Sequence, residues 1–381
     1  MLRKVNGVSR RNILKGAGSS LSALSIGGFA TAKLDETVEV NIGYKSQAGR
    51  QAAQNAASDV VREFKFDALT IRAQKQAVTG LQQRDDLRYV EENGTVKALA
   101  QTLPWGVDRV DAEVAHSNGE TGSGADIAII DTGIDSTHPD LQANLGTGQS
   151  FVTTGGYPAW QDDHGHGTHC AGIADAVNNS QGVVGISTEA TLHAVKVLTA
   201  AGSGTTSDVA AGIEYTADQG WDVGSLSLGS DSSSQTLKDA CQYAQNKGVL
   251  LVAAAGNSGP CTDCVGYPAA NSSVMAVSSA NKNDGLSSFS SQGSEVEIAA
   301  PGSNIYSTYV GGTYSTLSGT SMACPHVSGA AGQLMANGYT NDEARQQLKS
   351  TAEDIGLSTN ESGAGLLDVA AALGFDSSDS T

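Results

Sequence analysis

Cationic side chains are scarce over most of this 381-residue chain. Residues 100–381 carry 7 Lys and Arg against 30 Asp and Glu, a net charge of −23, whereas residues 1–99 carry 15 against 10. Such an acidic surface excludes nucleic acid and anionic lipid as partners, because both demand a cationic counter-surface. It suits a protein that stays hydrated in concentrated salt, where like charges are screened over short distances, so halophily is expected. Cysteine is also sparse. Five residues, Cys170, Cys241, Cys261, Cys264 and Cys324, are an odd number, which excludes a fully paired disulfide framework. Cys261 and Cys264 form a C-x-x-C with no second pair at zinc-ribbon spacing, so a loop disulfide or two free thiols are expected. Long apolar runs are missing too. The stretch from Gly16 to Phe29 is too short and too rich in Gly and Ser to span a bilayer, so no stable membrane anchor is expected.

What is present divides the chain. Residues 1–32 read as a targeting segment: Ser9-Arg10-Arg11-Asn12-Ile13-Leu14-Lys15 is a twin-arginine pattern, followed by the weakly apolar run and Ala30-Thr31-Ala32. That order implies export of a folded protein and a secreted product. Residues 33 to 99 read as a small α+β module, with strands at 39–44, 68–71 and 86–93 and an Ala-rich helix over 49–63. This module holds no credible nucleophile.

From Gly122 to Leu373 the text changes to short apolar runs with little alternation, as buried parallel strands require. Strands are expected at 127–130, 192–198, 223–228, 249–254 and 274–277, and helices at 167–176, 207–218, 237–246 and 321–335. The alternation predicts an α/β fold, a doubly wound, mostly parallel sheet flanked by helices. No repeat of 20–50 residues interrupts it, and 376–381 form a polar tail.

Four segments carry chemistry. Asp131 follows a buried strand in Ile-Ile-Asp-Thr-Gly-Ile-Asp, at the strand end where open α/β sheets place functional groups. Alone it reads as a turn cap, and Asp135 and Asp140 compete with it. His164-Gly165-His166-Gly167-Thr168-His169 opens a small-residue helix. Metal binding is its rival, but no H-E-x-x-H spacing or matching ligand cluster supports one. Ser321, in Gly-Thr-Ser-Met-Ala-Cys-Pro-His, stands at a helix start, where an isolated serine is usually a cap. There the free N–H groups and the dipole would stabilise a negative substrate oxygen. The G-x-S-x-G elbow fails because position 323 is Ala. Asn257 ends the run Val252 to Gly256, and its amide could donate to the same oxyanion.

Together these segments, in the order Asp, His, Asn, Ser, resemble the subtilisin-like serine peptidases of family S8 from about Val38 to Leu373. The resemblance implies a serine endopeptidase that forms an acyl-enzyme at Ser321, with His166 as general base then acid, Asp131 orienting His166, and Asn257 as oxyanion donor. Its substrates would be proteins or peptides, and it would need no redox or organic cofactor. The Cys after His-Gly-Thr-His is similar to the proteinase K branch, and the acidity and export pattern are similar to the haloarchaeal halolysins. Residues 33–99 are similar to an inhibitor-I9-type propeptide, an intramolecular chaperone and temporary inhibitor. The peptidase domain would then run from 100 to 375, autoprocessed near Ala100-Gln101-Thr102 and monomeric.

The resemblance further implies two edges sandwiching a substrate strand, Gly202-Ser203-Gly204 and Ser227-Leu228-Gly229, beside an open, mainly apolar primary pocket near Leu228 and Gly256. It also implies a structural Ca2+ held by Gln101, Asp140 and Asn179 side chains and by the carbonyls of Val177, Gln181 and Val183. Two rivals stand against the peptidase reading. One is an inactive peptide-binding homologue, disfavoured because all four chemical positions are intact. The other is a non-peptidase serine hydrolase, disfavoured by the missing elbow.

Overall fold

The computed structural model describes residues 37–94, 101–152 and 158–377. The targeting segment expected at 1–32 lies outside the described residues, as do Ala100 and residues 378–381. The chain forms two compact units, Met1–Lys97 and Ala98–Thr381.

The first unit contains β1 (Thr37–Tyr44), α1 (Gln47–Ala56), β2 (Ala57–Phe64), β3 (Ala68–Gln74), α2 (Lys75–Gln82) and β4 (Leu87–Glu92). The strands form an antiparallel sheet in the order β2-β3-β1-β4. Its core gathers Val40, Ile42, Leu69 and Ile71 with Ala53, Val78 and Leu81 from the helices. The helix expected over 49–63 stops at Ala56, and β2 takes its last seven residues. Ser46 caps α1 by accepting from the Gly49 N–H. β2 has no fully buried residue, so no apolar alternation marks it. Its strand conformation comes from β-branched Val60-Val61 and from pairing with β3.

The second unit begins with two short helices, α3 (Trp105–Arg109) and α4 (Ala112–Ser117). Then follow β5 (Asp126–Asp131), β6 (Leu145–Ser150), α5 (His166–Asp175), β7 (Thr191–Lys196), α6 (Thr206–Gln219), β8 (Val223–Leu226) and α7 (Gln235–Asn246). β9 (Leu250–Ala254), β10 (Val274–Ala280), β11 (Val296–Pro301), a hairpin of β12 (Ile305–Tyr309) and β13 (Thr313–Leu317), α8 (Thr320–Ala336), α9 (Asn341–Ser350), α10 (Thr359–Ser362) and α11 (Val369–Ala372) complete it. Seven parallel strands order as β11-β10-β9-β8-β5-β7-β6, so the expected doubly wound sheet is the observed one.

Alternate residues of β5 feed two cores. Ile127 and Ile129 pack with Cys170, Ile173, Met322 and Val327 of α5 and α8, and Ala128 and Ile130 pack with Val209, Ile213 and Leu237 of α6 and α7. Edge strands β6 and β11 and the hairpin were not expected. Leu145-Gly-Thr-Gly-Gln-Ser, for example, offers one apolar residue and is largely unburied. From β5 the chain runs outward to β6 and β7 on one side, then crosses to β8 and beyond. The winding direction therefore reverses at β5, and a crevice opens at its carboxyl end. Asp131 is the last residue of that strand.

Candidate active site

Asp131 is fully buried, and its Oδ1 lies 2.8 Å from His166 Nδ1. The same oxygen accepts from the Thr132 N–H at 2.7 Å. His166 opens α5 behind Gly165, which caps that helix at φ 106°, a left-handed conformation that favours glycine. Close packing explains the next glycine: a Cβ on Gly167 would come within 2.2 Å of the Gly133 carbonyl. Burial alone would push the His166 imidazole down. The charge of Asp131, its hydrogen bond and the charge of Asp162 outweigh that, and the net shift is upward. His169 differs: burial depresses it to about 4, so it stays a neutral imidazole with Nε2 3.1 Å from the Ser315 carbonyl. It serves packing, not acid–base chemistry.

The supports of this pair escaped sequence reading. Asp162 Oδ1 accepts from Thr132 Oγ1, His164 N and Gly165 N, and its Oδ2 accepts from Thr168 N and Oγ1, all within 2.9 Å. Thr132 Oγ1 in turn accepts from the Gly167 N–H at 2.9 Å. One buried carboxylate thus ties the end of β5 to the first turn of α5. Lys196, fully buried, adds a clamp by donating to the Thr132 carbonyl and to Asp163 Oδ1 at 2.7 Å. An Asp before His-Gly-His and a Lys ending an apolar strand were the available signals, but neither spacing announces a role.

Ser321 is the second residue of α8. Pro325 lies four residues later and has no N–H, so the Ser321 carbonyl loses its helical partner. Two side chains replace it: Ser227 Oγ donates to that carbonyl at 2.7 Å and Cys170 Sγ at 3.4 Å. The proline therefore keyed Ser321 to the neighbouring strand and to α5. Ser321 Oγ donates to the Ser227 carbonyl at 3.1 Å, which places Ser321 against the segment that follows β8 and not in a hydrogen bond to His166 among the described residues. Such bonds are often loose without substrate and tighten in the complex. Asn257 Oδ1 accepts from Thr320 N at 2.9 Å and from Thr320 Oγ1 at 3.1 Å, which leaves its NH2 free to donate. Asn257 and Ser321 line one cavity of about 260 Å³.

The two expected edges border a cleft of about 430 Å³ that also holds His164, His166 and Leu198. Gly202, Ser203 and Gly204 form one wall, and Ser227, Leu228 and Gly229 the other. The cavity beside Ser321 departs from the mainly apolar pocket expected. Leu228, Ala254 and Cys264 are its apolar side chains, and Ser227, Ser230, Asp231, Ser258, Ser291 and three glycines make up most of the rest. Cys261 and Cys264 are disulfide-bonded, while Cys170, Cys241 and Cys324 are buried free thiols.

The six residues expected around a cation meet at one place: Val177, Asn179, Gln181 and Val183 lie in one loop, and Gln101 and Asp140 bond to it from other segments. Gln101 Nε2 donates to the carbonyls of Val177 and Val183 at 2.7 and 2.9 Å, and its Oε1 accepts from Asn179 N. Asn179 Nδ2 donates to Asp140 Oδ1 at 3.1 Å, and Asn179 Oδ1 accepts from Gln181 N. Asp140 Oδ2 accepts from Val183 N and from the Tyr314 hydroxyl, both at 2.9 Å. A Cβ at Gly182 would lie 1.9 Å from that oxygen, so only glycine lets the loop curl this tightly. The two carbonyls converge on the Gln101 amide nitrogen; with that amide turned over, carbonyl, amide and carboxylate oxygens would make the oxygen donor set that a hard cation takes.

Comparison with known proteins accords with this arrangement. Residues 122–367 match the subtilase family, peptidase family S8. The chain is 46% identical over 317 residues to an alkaline protease of Alkalihalobacillus alcalophilus, covering 82% of this chain and 81% of that one. It is 50% identical over 275 residues to subtilisin Savinase of Lederbergia lenta, covering 72% of this chain and 99% of that one. To subtilisin amylosacchariticus of Bacillus subtilis subsp. amylosacchariticus it is 40% identical over 366 residues, 93% of this chain and 94% of that one. With the fold, the crevice and these identities in agreement, the chain belongs to the subtilase family of serine peptidases.

Proposed function

We propose that this chain is the precursor of a secreted serine endopeptidase in which Ser321 attacks the scissile carbonyl. The observation that carries the reading is His166, paired with buried Asp131, in a cleft walled by 202–204 and 227–229, with Ser321 and Asn257 on the adjoining cavity. His166 accepts the Ser321 proton and returns it to the leaving amine. Asp131 fixes the imidazole tautomer and stabilises the imidazolium. The Asn257 amide and the N–H groups opening α8 face charge that develops on the substrate oxygen. Water then releases the acyl group. The substrate backbone pairs as an added strand with 202–204 and 227–229.

The first unit, by this reading, is the propeptide. The 366-residue alignment is too long to fit within Ala98–Thr381, which supports a precursor shared with the subtilisins. The twin-arginine pattern and the acidic second unit support export into a saline medium, as in halolysins, and a Cys at position 170 supports kinship with the proteinase K branch. No helix among the described residues is long and apolar enough to cross a membrane. Gln101, Asp140, Val177, Asn179, Gln181 and Val183 would hold a Ca2+ that stabilises the fold and takes no part in catalysis.

A fluorophosphonate probe and fluorescent casein test the reading together. The wild-type chain should label at Ser321, hydrolyse casein and cut itself near residue 100. Ser321→Ala should do none of these in a host without other proteases. Labelling without casein hydrolysis would favour an esterase, and loss of both an inactive homologue.

A further inference from the structure

The cavity beside Ser321 carries one charge. Asp231 lines it, together with Ser227, Ala254, Asn257, Cys264 and Ser321, and no Lys or Arg does. Asp231 is exposed, and among the described residues its carboxylate makes no ion pair. Its place is fixed by backbone. Ser230, the residue before it, exchanges two 2.8 Å hydrogen bonds with Tyr267, and Gly266 donates to the Ala255 carbonyl at 2.9 Å. These bonds tie the 227–231 wall to the opposite wall. That opposite wall is closed by the Cys261–Cys264 disulfide, with Cys264 N donating to the Gln292 carbonyl at 2.9 Å.

Ser227 touches Ser321 directly, and Asp231 stands four residues further along the same wall. At ~3.3 Å per residue that separation is at most about 13 Å. Asp231 and Ser321 line the same cavity, so a basic side chain entering beside the nucleophile meets a carboxylate of opposite charge there, whereas an apolar one gains nothing from it. Glycines 229, 256 and 266 keep side chains out of the entering group's path. A carboxylate left unpaired in a small-residue slot attracts a cation and repels an anion, which sets a preference by attraction and rejection together.

We propose that this cavity receives a basic side chain, lysine or arginine, on the residue preceding the scissile bond, and that Asp231 is its specificity-determining residue. The inference rests on the reading of Ser321 as the nucleophile of a peptidase. Peptide p-nitroanilides identical except for Lys, Arg, Leu, Phe or Glu at that position test it, at one salt concentration that keeps the protein folded. In the wild-type enzyme kcat/KM for Lys and Arg should exceed that for Leu by about 1.5- to fivefold, the range expected of an exposed charge pair, with Glu poorest. Asp231→Asn should bring the Lys-to-Leu ratio to about one, and Asp231→Lys should raise Glu above Lys. Fluorophosphonate labelling of Ser321 accompanies each variant. Labelled enzyme that cleaves Leu or Phe faster than Lys, or a Lys-to-Leu ratio untouched by Asp231→Asn, overturns the specificity and leaves the peptidase standing. No labelling and no cleavage of any substrate overturns both.

Discussion

The imidazoles of His166, His169 and His326 sit in one unit yet are held in opposite states. Asp131 and Asp162 outweigh burial at His166 and raise it, whereas burial depresses His169 and His326 to about 4 each. His166 must be neutral to accept a proton, so kcat/KM should climb as pH rises through a value above the ordinary 6.5. Asp162→Asn removes one raising charge and breaks the ties between β5 and α5. The acid limb should move down, and kcat/KM at its plateau should fall roughly 10- to 100-fold as the base loses alignment. An unmoved limb would show that Asp162 acts on structure alone. Imidazole NMR at pH 5 should find His169 and His326 neutral and His166 protonated. Of these residues, Asp131, His166, Asn257 and Ser321 were legible because long motifs surround them. Asp162, Lys196 and Ser227 were not, because a supporting contact depends on which segments meet in space. Pro325 was visible in the sequence, but its effect appears only once Ser227 and Cys170 are seen on the Ser321 carbonyl.

Among the elements, buried strands declared themselves and exposed ones did not. β5, β7, β8, β9 and β10 are almost wholly buried and rich in apolar residues, while β2, β6 and β13 owe their conformation to neighbours that local pattern does not reveal. The 177–183 loop was legible in part: its polar residues were read, but the Tyr314 hydroxyl on Asp140 came from the distant hairpin strand β13. If this loop holds Ca2+, an ion bound to the native state alone adds about 2.7 kcal/mol at a hundredfold excess over its dissociation constant. For a unit of this size that is roughly 5 °C in Tm. Calorimetry of the Ser321→Ala chain at constant high salt should show that rise on adding Ca2+, and Asp140→Ala should abolish it. A rise of equal size in Asp140→Ala would place the ion elsewhere.

Across the second unit, six of the seven Lys and Arg are already engaged. Arg109 pairs with Asp284 and Glu353, Lys196 with Asp163, and Arg345 and Lys349 share Glu297. Lys247 and Lys282 lie over the rings of Tyr243 and Trp105. These contacts leave little positive charge to offset the remaining surface carboxylates. At ~0.01 M salt the screening length is about 30 Å, and repulsion sums across the whole unit. At about 1 M it is about 3 Å, and only neighbouring carboxylates still repel. The Ser321→Ala chain, which cannot digest itself, should therefore lose far-ultraviolet circular dichroism on dialysis to millimolar salt and regain it on return. Replacing about ten exposed Asp and Glu by Asn and Gln should keep it folded there. Salt can also act by strengthening apolar burial, in which case sulfate outperforms chloride at equal ionic strength. Screening predicts that refolding follows ionic strength alone, complete near 1 M with either anion. A strong advantage for sulfate would assign the salt requirement to burial, and a spectrum unchanged between molar and millimolar salt would remove the requirement altogether.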